Sequence, residues 1–224
     1  MAFFLDLSKI LGYNNFGKNN NSEEIFMVIN TSAKIAIVGD NRAVNSIWLD
    51  EVRNCFSAVG RSDVEFYNFA KNGNTANMVA EELEDAFSVS PNMLLIMIGY
   101  NDINMTGELE EKTRGFASAL IKIIDVCKQK EITPILATIP AMKEGSMEAL
   151  AEYAENSTPI FNVIRNLSEQ NKIYLAEANE EFYLEVMENA LSSNSLIEKG
   201  ELTGEGNKVL GKIIAEELLG ATFR

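Results

Sequence analysis

The stretch KIAIVGDN, residues 34–41, decides the fold. Ile35, Ala36, Ile37 and Val38 form a short, wholly apolar run, and Gly39, Asp40 and Asn41 end it abruptly. A run of this kind, closed by small and polar residues, is the pattern of a buried parallel strand ending in a tight turn. In open α/β sheets, ligands bind in the crevice beyond the carboxyl ends of such strands. The residues after Val38 are therefore the first place to look for a site.

Working outward, strand and helix patterns alternate. Strands are expected at 34–38, 64–69, 93–98, 133–139 and 173–176. Helices are expected at 43–59, 75–87, 108–130, 159–169, 180–190 and 204–219. Pro140 stops the fourth strand, and Asn74 or Thr75 caps the second helix. This alternation implies a three-layer α/β/α sandwich on a five-stranded parallel sheet of flavodoxin-like type, with right-handed crossovers. Residues 33–224 read as this one domain. Residues 1–32 read as an extension: an apolar start, then the asparagine-rich YNNFGKNNN, then a helix start at Asn21 and Glu24. The expected role of residues 1–30 is a docking arm onto other protein subunits.

Composition narrows the functions. The chain has 224 residues, and 33 acidic residues against 19 basic ones give a net charge of −14. That charge argues against nucleic acid or an anionic membrane surface as partner. No run approaches the roughly 20 apolar residues of a membrane span, and the start lacks the basic region of a signal peptide. A cytoplasmic or particle-associated location is expected. Cys55 and Cys127 sit inside apolar helical patterns and read as buried free thiols of a reducing compartment. Histidine is absent, which removes the commonest general base and metal ligand and every Ser–His or Cys–His pair.

Four strand ends or loops carry polar residues: Gly39-Asp40-Asn41, the stretch NFAKNGNT at 68–75, Gly99-Tyr100-Asn101-Asp102, and EKGELTGEG at 198–206. Their order and spacing resemble the SGNH (GDSL-type) hydrolase family over residues 34–219. The family reads GDS, G-x-x-G-x-T, GxND and DxxH-L-T-x-x-G in these places. Here the third block is intact as Gly99, Asn101 and Asp102, and the second keeps Asn68, Gly73 and Thr75, with Ala70 in place of a glycine. TPILATIP, 133–140, is similar to the family's fourth strand, and LTGEG, 202–206, to the start of its last helix.

The resemblance implies acyl-ester hydrolysis, with a serine nucleophile, a histidine base and an aspartate that orients it. The departures fall on those three positions, which here are Asn41, Glu201 and Glu198. A carboxamide is not a nucleophile, and a glutamate base needs one to activate. The positions matching the oxyanion donors remain: the Gly73 N–H and the Asn101 side chain. Asp40, Asn74, Tyr100 and Asp102 complete the expected cleft.

Plainer roles stand beside these. Gly73 and Gly99 suit sharp backbone turns, and Asn101 and Asp102 suit helix caps. Asp40, Asn41, Asn101, Glu198 and Glu201 offer oxygen ligands to a hard cation, but without EF-hand-like spacing, so no metal or cofactor is implied. Ser46 and Thr75 are substitute hydroxyls that a helix face and a cap explain better. The expected function is a non-catalytic binding or structural module in a larger assembly, of virion or cell-surface type. The alternatives are an active acyl- or acetyl-ester hydrolase with unorthodox residues and a lectin-like carbohydrate-binding module.

Overall fold

A computed structural model describes residue 29 and residues 32–140, 147–188 and 193–220. Five strands form one parallel sheet: β1 (Ala33–Gly39), β2 (Val64–Asn68), β3 (Met93–Met97), β4 (Thr133–Ala137) and β5 (Tyr174–Ala176), in the order β2-β1-β3-β4-β5. The central strands β1 and β3 are buried along nearly their whole length, which is why they read as uninterrupted apolar runs. Strand order reverses between β1 and β3, so the crevice expected of this topology opens where Gly39 pairs with Met97.

Ten helices cover the sheet among the described residues: α1 (Asn41–Val44), α2 (Ser46–Ala58), α3 (Ala76–Glu81), α4 (Leu83–Phe87), α5 (Tyr100–Asn104), α6 (Leu109–Gln129), α7 (Met147–Asn171), α8 (Ala178–Glu188), α9 (Ser193–Leu196) and α10 (Gly204–Leu219). Helix α10 packs on α2 and α8 on one face, and α6 packs on α3 and α7 on the other. Trp48, Phe56, Phe116, Ile123, Ile160, Leu210 and Ile214 fill the space between layers, each less than 2% exposed. Among the described residues, no helix is long and apolar enough to cross a membrane.

Several elements differ from expectation for identifiable reasons. The helix expected at 43–59 is broken at Asn45, whose extended backbone and side chain cap α2 by accepting the Ile47 N–H at 2.9 Å. The helix expected at 75–87 is likewise two pieces, opened by Thr75, whose Oγ1 accepts the Met78 N–H. The helix expected to start at Pro159 starts at Met147 and runs through the proline. Tyr153, Ile160, Ile164 and Leu167 make one buried stripe across that point, and packing overrides the ~3 kcal/mol that an interior proline costs. A hairpin was not expected: β6 (Ile197–Glu198) and β7 (Glu201–Leu202) pair antiparallel. Its two turn residues, Lys199 and Gly200, both have positive φ, 51° and 80°, as a type I′ turn requires.

Cys55 and Cys127 are free and buried. Ile29 is 1% exposed and packs in the core. The expected helix start at Asn21 and Glu24, and residues 1–28 generally, lie outside the described residues.

Candidate functional site

The site grows from the end of β1. Gly39 lies against β3 so closely that a Cβ there would stand 2.1 Å from the Met97 carbonyl oxygen. That approach brings the next residue, Asp40, to the end of β3. Asp40 is fully buried. Its carboxylate accepts the backbone N–H of Arg42 at 3.0 Å, of Gly99 at 2.8 Å and of Tyr100 at 2.7 Å, so one side chain caps α1 and clamps the loop that opens α5. Burial pushes its carboxyl up to about 6, against the pull of the three N–H groups and the Arg42 charge. Asp102 takes the Ala76 N–H on both oxygens at 3.2 Å and ties α5 to α3. Burial, with the nearby Asp40 charge, pushes it up to about 6 as well.

Asn41 carries the central feature. Its Oδ1 accepts the Gly73 N–H at 2.8 Å and the Asn101 Nδ2 at 2.9 Å. The second Asn101 bond goes to the Asn74 carbonyl at 2.8 Å. Gly73 supplies its N–H from a turn with φ +82°. The two donors expected to hold a developing oxyanion therefore converge, and the oxygen between them belongs to the protein's own carboxamide.

The hairpin β6–β7 closes the site from the C-terminal side. Tyr100 donates its hydroxyl to the Gly200 carbonyl at 3.2 Å. Glu201 faces Arg42, with Oε2 3.8 Å from Nη1 and its side chain 55% exposed. Glu198 lies near Lys199 at 3.7 Å and is exposed. Arg42 is 2% exposed and its guanidinium stacks 4.4 Å from the centre of the Tyr100 ring. A cleft of about 250 Å³ opens here, lined by Asn41, Asn45, Asn72 and Asn207 with Arg42 and Glu201. Val44 and Leu202 supply its apolar part. No hydroxyl or thiol side chain lines it among the described residues.

The structure thus brings together Asn41, Gly73, Asn74 and Asn101 as one hydrogen-bonded cradle, with Glu201 on the neighbouring cleft wall. It places Asp40 and Asp102 beneath the surface, where they fix backbone. Ser46 is exposed at the start of α2, and the Thr75 hydroxyl serves as a helix cap. Among the described residues, no three acidic, histidine or cysteine side chains gather as metal ligands would. Sequence reasoning missed Arg42 and Asn207. Arg42 left a signal, as the only basic residue between Lys34 and Arg53. Asn207 lies on the helical stripe of Leu210, Ile214 and Leu218, a polar residue on a buried face.

Residues 30–212 match the profile of the family described as GDSL-like Lipase/Acylhydrolase. A search of curated proteins returned no match. Among solved structures, a putative GDSL-like lipase from Parabacteroides merdae is 16% identical with a TM-score of 0.69, covering 87% of this chain and 98% of that one. A catalytic mutant of an acetylxylan esterase from Geobacillus stearothermophilus is 17% identical with a TM-score of 0.70, covering 86% and 96%. A lipase/acylhydrolase from Enterococcus faecalis is 17% identical with a TM-score of 0.67, covering 84% and 96%. At such identities the likeness is one of fold.

Proposed function

Because this chain belongs to the GDSL-like lipase/acylhydrolase family, we propose, from what its cleft contains, that it is a non-hydrolytic member: a binding module that keeps the family's fold and polar cradle without acyl-transfer chemistry. The carrying observation is the Asn41 carboxamide oxygen, held by the Gly73 N–H and the Asn101 side chain at 2.8 and 2.9 Å. Acyl transfer needs an attacking oxygen at that position and open donors beside it. Here the position holds an amide, and the donors already have an acceptor. An ester carbonyl entering the cradle would first displace two hydrogen bonds, each worth about 1 kcal/mol net. At the expected base position, Glu201 is drawn toward Arg42. Losing nucleophile and base together removes on the order of a millionfold in turnover in serine hydrolases.

The extension ahead of the buried Ile29, residues 1–28, is assigned in this reading to docking onto other protein subunits of a larger assembly. What supports this is the asparagine-rich stretch YNNFGKNNN, residues 13–21, which lies ahead of the domain and carries no core pattern.

A second reading, an esterase with a substitute hydroxyl, is favoured by the family itself. One experiment separates the two. The purified full-length chain is incubated with p-nitrophenyl acetate and, separately, with a fluorophosphonate probe. The non-hydrolytic reading expects turnover at the buffer rate and no labelling. Saturable turnover, or labelling that maps to Ser46 or Thr75, overturns it.

A further inference from the structure

The turn that carries the Gly73 donor also carries a reactive pair. Asn72 is the only asparagine in the chain that is followed by glycine. Glycine has no side chain to shield its backbone nitrogen, and that nitrogen can attack the carboxamide of the residue before it. Both residues are exposed, and a Cβ built on Gly73 would meet no atom within 4 Å, so nothing packs over the point of attack. Asn72 shares the wall of the cleft with Asn41 and Glu201.

Residues 71–74 form a β-turn, closed by the Asn74 N–H donating to the Lys71 carbonyl at 3.3 Å. Gly73 has φ +82° while Asn72 keeps a negative φ, which is the type II pattern. The Gly73 N–H, on the nitrogen that would attack, donates to Asn41 Oδ1 at 2.8 Å. To react, that nitrogen must give up its proton and turn toward the Asn72 carboxamide. The Asn41 bond opposes both movements.

We propose that Asn72 is a site of spontaneous amide loss in the folded protein, restrained by the Asn41 amide. The Gly73 nitrogen gives its proton to hydroxide and bonds to Asn72 Cγ. The Cγ–Nδ2 bond breaks, and Nδ2 takes up a proton from solvent and leaves as ammonia. The cyclic succinimide so formed takes up one water at either carbonyl and opens to aspartate or isoaspartate. Either product adds a negative charge to the cleft wall of a chain already at −14. Isoaspartate also routes the main chain through the former side-chain carbons, which lengthens the turn and draws the Gly73 N–H away from Asn41. The modification thus dismantles the cradle, whether or not the cleft hydrolyses esters.

The full-length chain is incubated in mildly alkaline buffer, both folded and in urea. Peptide mapping by mass spectrometry follows each asparagine, and labelling with protein isoaspartyl methyltransferase reports isoaspartate. Residue 72 is expected to be the first amide lost among the described asparagines of the folded chain, more slowly than in urea, where the Asn41 bond is gone. Asn41→Ser is expected to speed the loss about fivefold, as removal of one hydrogen bond implies. Asn41→Asp retains an acceptor oxygen and is expected to stay near the native rate. Asn72→Gln, a change at an exposed turn residue, removes the labelling of this peptide and decides the site even if Asn41→Ser fails to fold. Earlier loss at another described asparagine, labelling that persists in Asn72→Gln, a folded rate no lower than the rate in urea, or an Asn41→Ser rate no higher than that of Asn41→Asp overturns the proposal.

Discussion

Glu198 and Glu201 stand opposite each other as an antiparallel pair across the turn Lys199–Gly200. Both are exposed, with side-chain exposures of 69% and 55%. These are the positions where the family resemblance expects an aspartate holding a histidine. Here two like charges face one another, and each leans on a cation of its own: Lys199 at 3.7 Å for Glu198 and Arg42 at 3.8 Å for Glu201. Like charges directly opposite are destabilising on a ladder. Glu198→Lys converts the pair to opposite charges, and urea unfolding is expected to show a gain of about 0.5 kcal/mol. A loss of stability would mean that the Lys199 contact matters more than the cross-strand pair.

Restoring the missing reactive pair is the direct test of the cradle. Asn41→Ser removes the amide oxygen that occupies the Gly73 and Asn101 donors, and Glu201→His supplies a proton acceptor on the facing hairpin. Neither single variant is expected to react with a fluorophosphonate, because each lacks one half of the pair. The double variant is expected to label at position 41 and to hydrolyse p-nitrophenyl acetate measurably. If Asn41→Ser alone turns over substrate as fast as the double variant, Glu201 is already a competent base and the non-hydrolytic reading rests on Asn41 alone.

Gly39 holds the site's floor in place by lacking a side chain. A Cβ at this position would stand 2.1 Å from the Met97 carbonyl oxygen and 2.7 Å from the Ala43 Cβ. The first contact is backbone in a central strand and cannot move aside cheaply. Gly39→Ala is expected to cost on the order of 3 kcal/mol, read as a shift of the urea midpoint. A near-neutral result would show that β1 and β3 separate more easily than their pairing suggests.

The parts of the fold legible in the sequence are those where burial is symmetrical. Strands β1 and β3 are covered on both faces, so their apolar runs are unbroken, and their polar ends marked the crevice. The hairpin was illegible because two-residue strands leave no alternation to read, although Lys199-Gly200 carried the turn signal. The break at Asn45 had its own signal, an asparagine before serine, that the apolar pattern around it masked. For the site, the convergence of Asn41, Gly73 and Asn101 followed from their strand ends. The direction of the Asn41 amide did not, since its two partners lie 32 and 60 residues away. Arg42 and Asn207 were missed because a buried charge and a buried amide run against the usual partition of residues, and only packed neighbours reveal them.

Acidity is expected to stabilise this protein. Burial raises the carboxyls of Asp40 and Asp102 to about 6, and it raises Glu180, Glu181 and Glu217 as well. For each, the folded state binds a proton more tightly than the unfolded chain. Between about pH 4 and pH 6 the native state therefore holds more protons, so stability falls as pH rises through that window. Asp40 and Asp102 each contribute on the order of 2–3 kcal/mol to that fall. Lowering the net charge of −14 acts in the same direction. The melting temperature, measured by circular dichroism at low concentration, is expected to be highest near pH 4 to 5, to decline as pH rises through about 6 and to level off above pH 7. Asp102→Asn retains an oxygen for the Ala76 N–H and should flatten the decline. A melting temperature that rises steadily from pH 5 to pH 8 would contradict the burial of these two carboxyls.

The proposed docking arm has a boundary that the core itself sets. Ile29 is 1% exposed and packed in the hydrophobic cluster, so a truncation that removes it opens a hole costing about 2–5 kcal/mol and confounds loss of docking with loss of stability. The informative variant deletes residues 1–28 and keeps Ile29. Its melting temperature is expected to stay within a few degrees of the full chain, since β1 and its partners are untouched. Its mass by light scattering is expected to be that of a monomer, while the full chain forms a larger species. Equal masses for the two chains would remove residues 1–28 from any role in self-assembly. A truncated chain that no longer melts cooperatively would make the segment part of the domain rather than an arm.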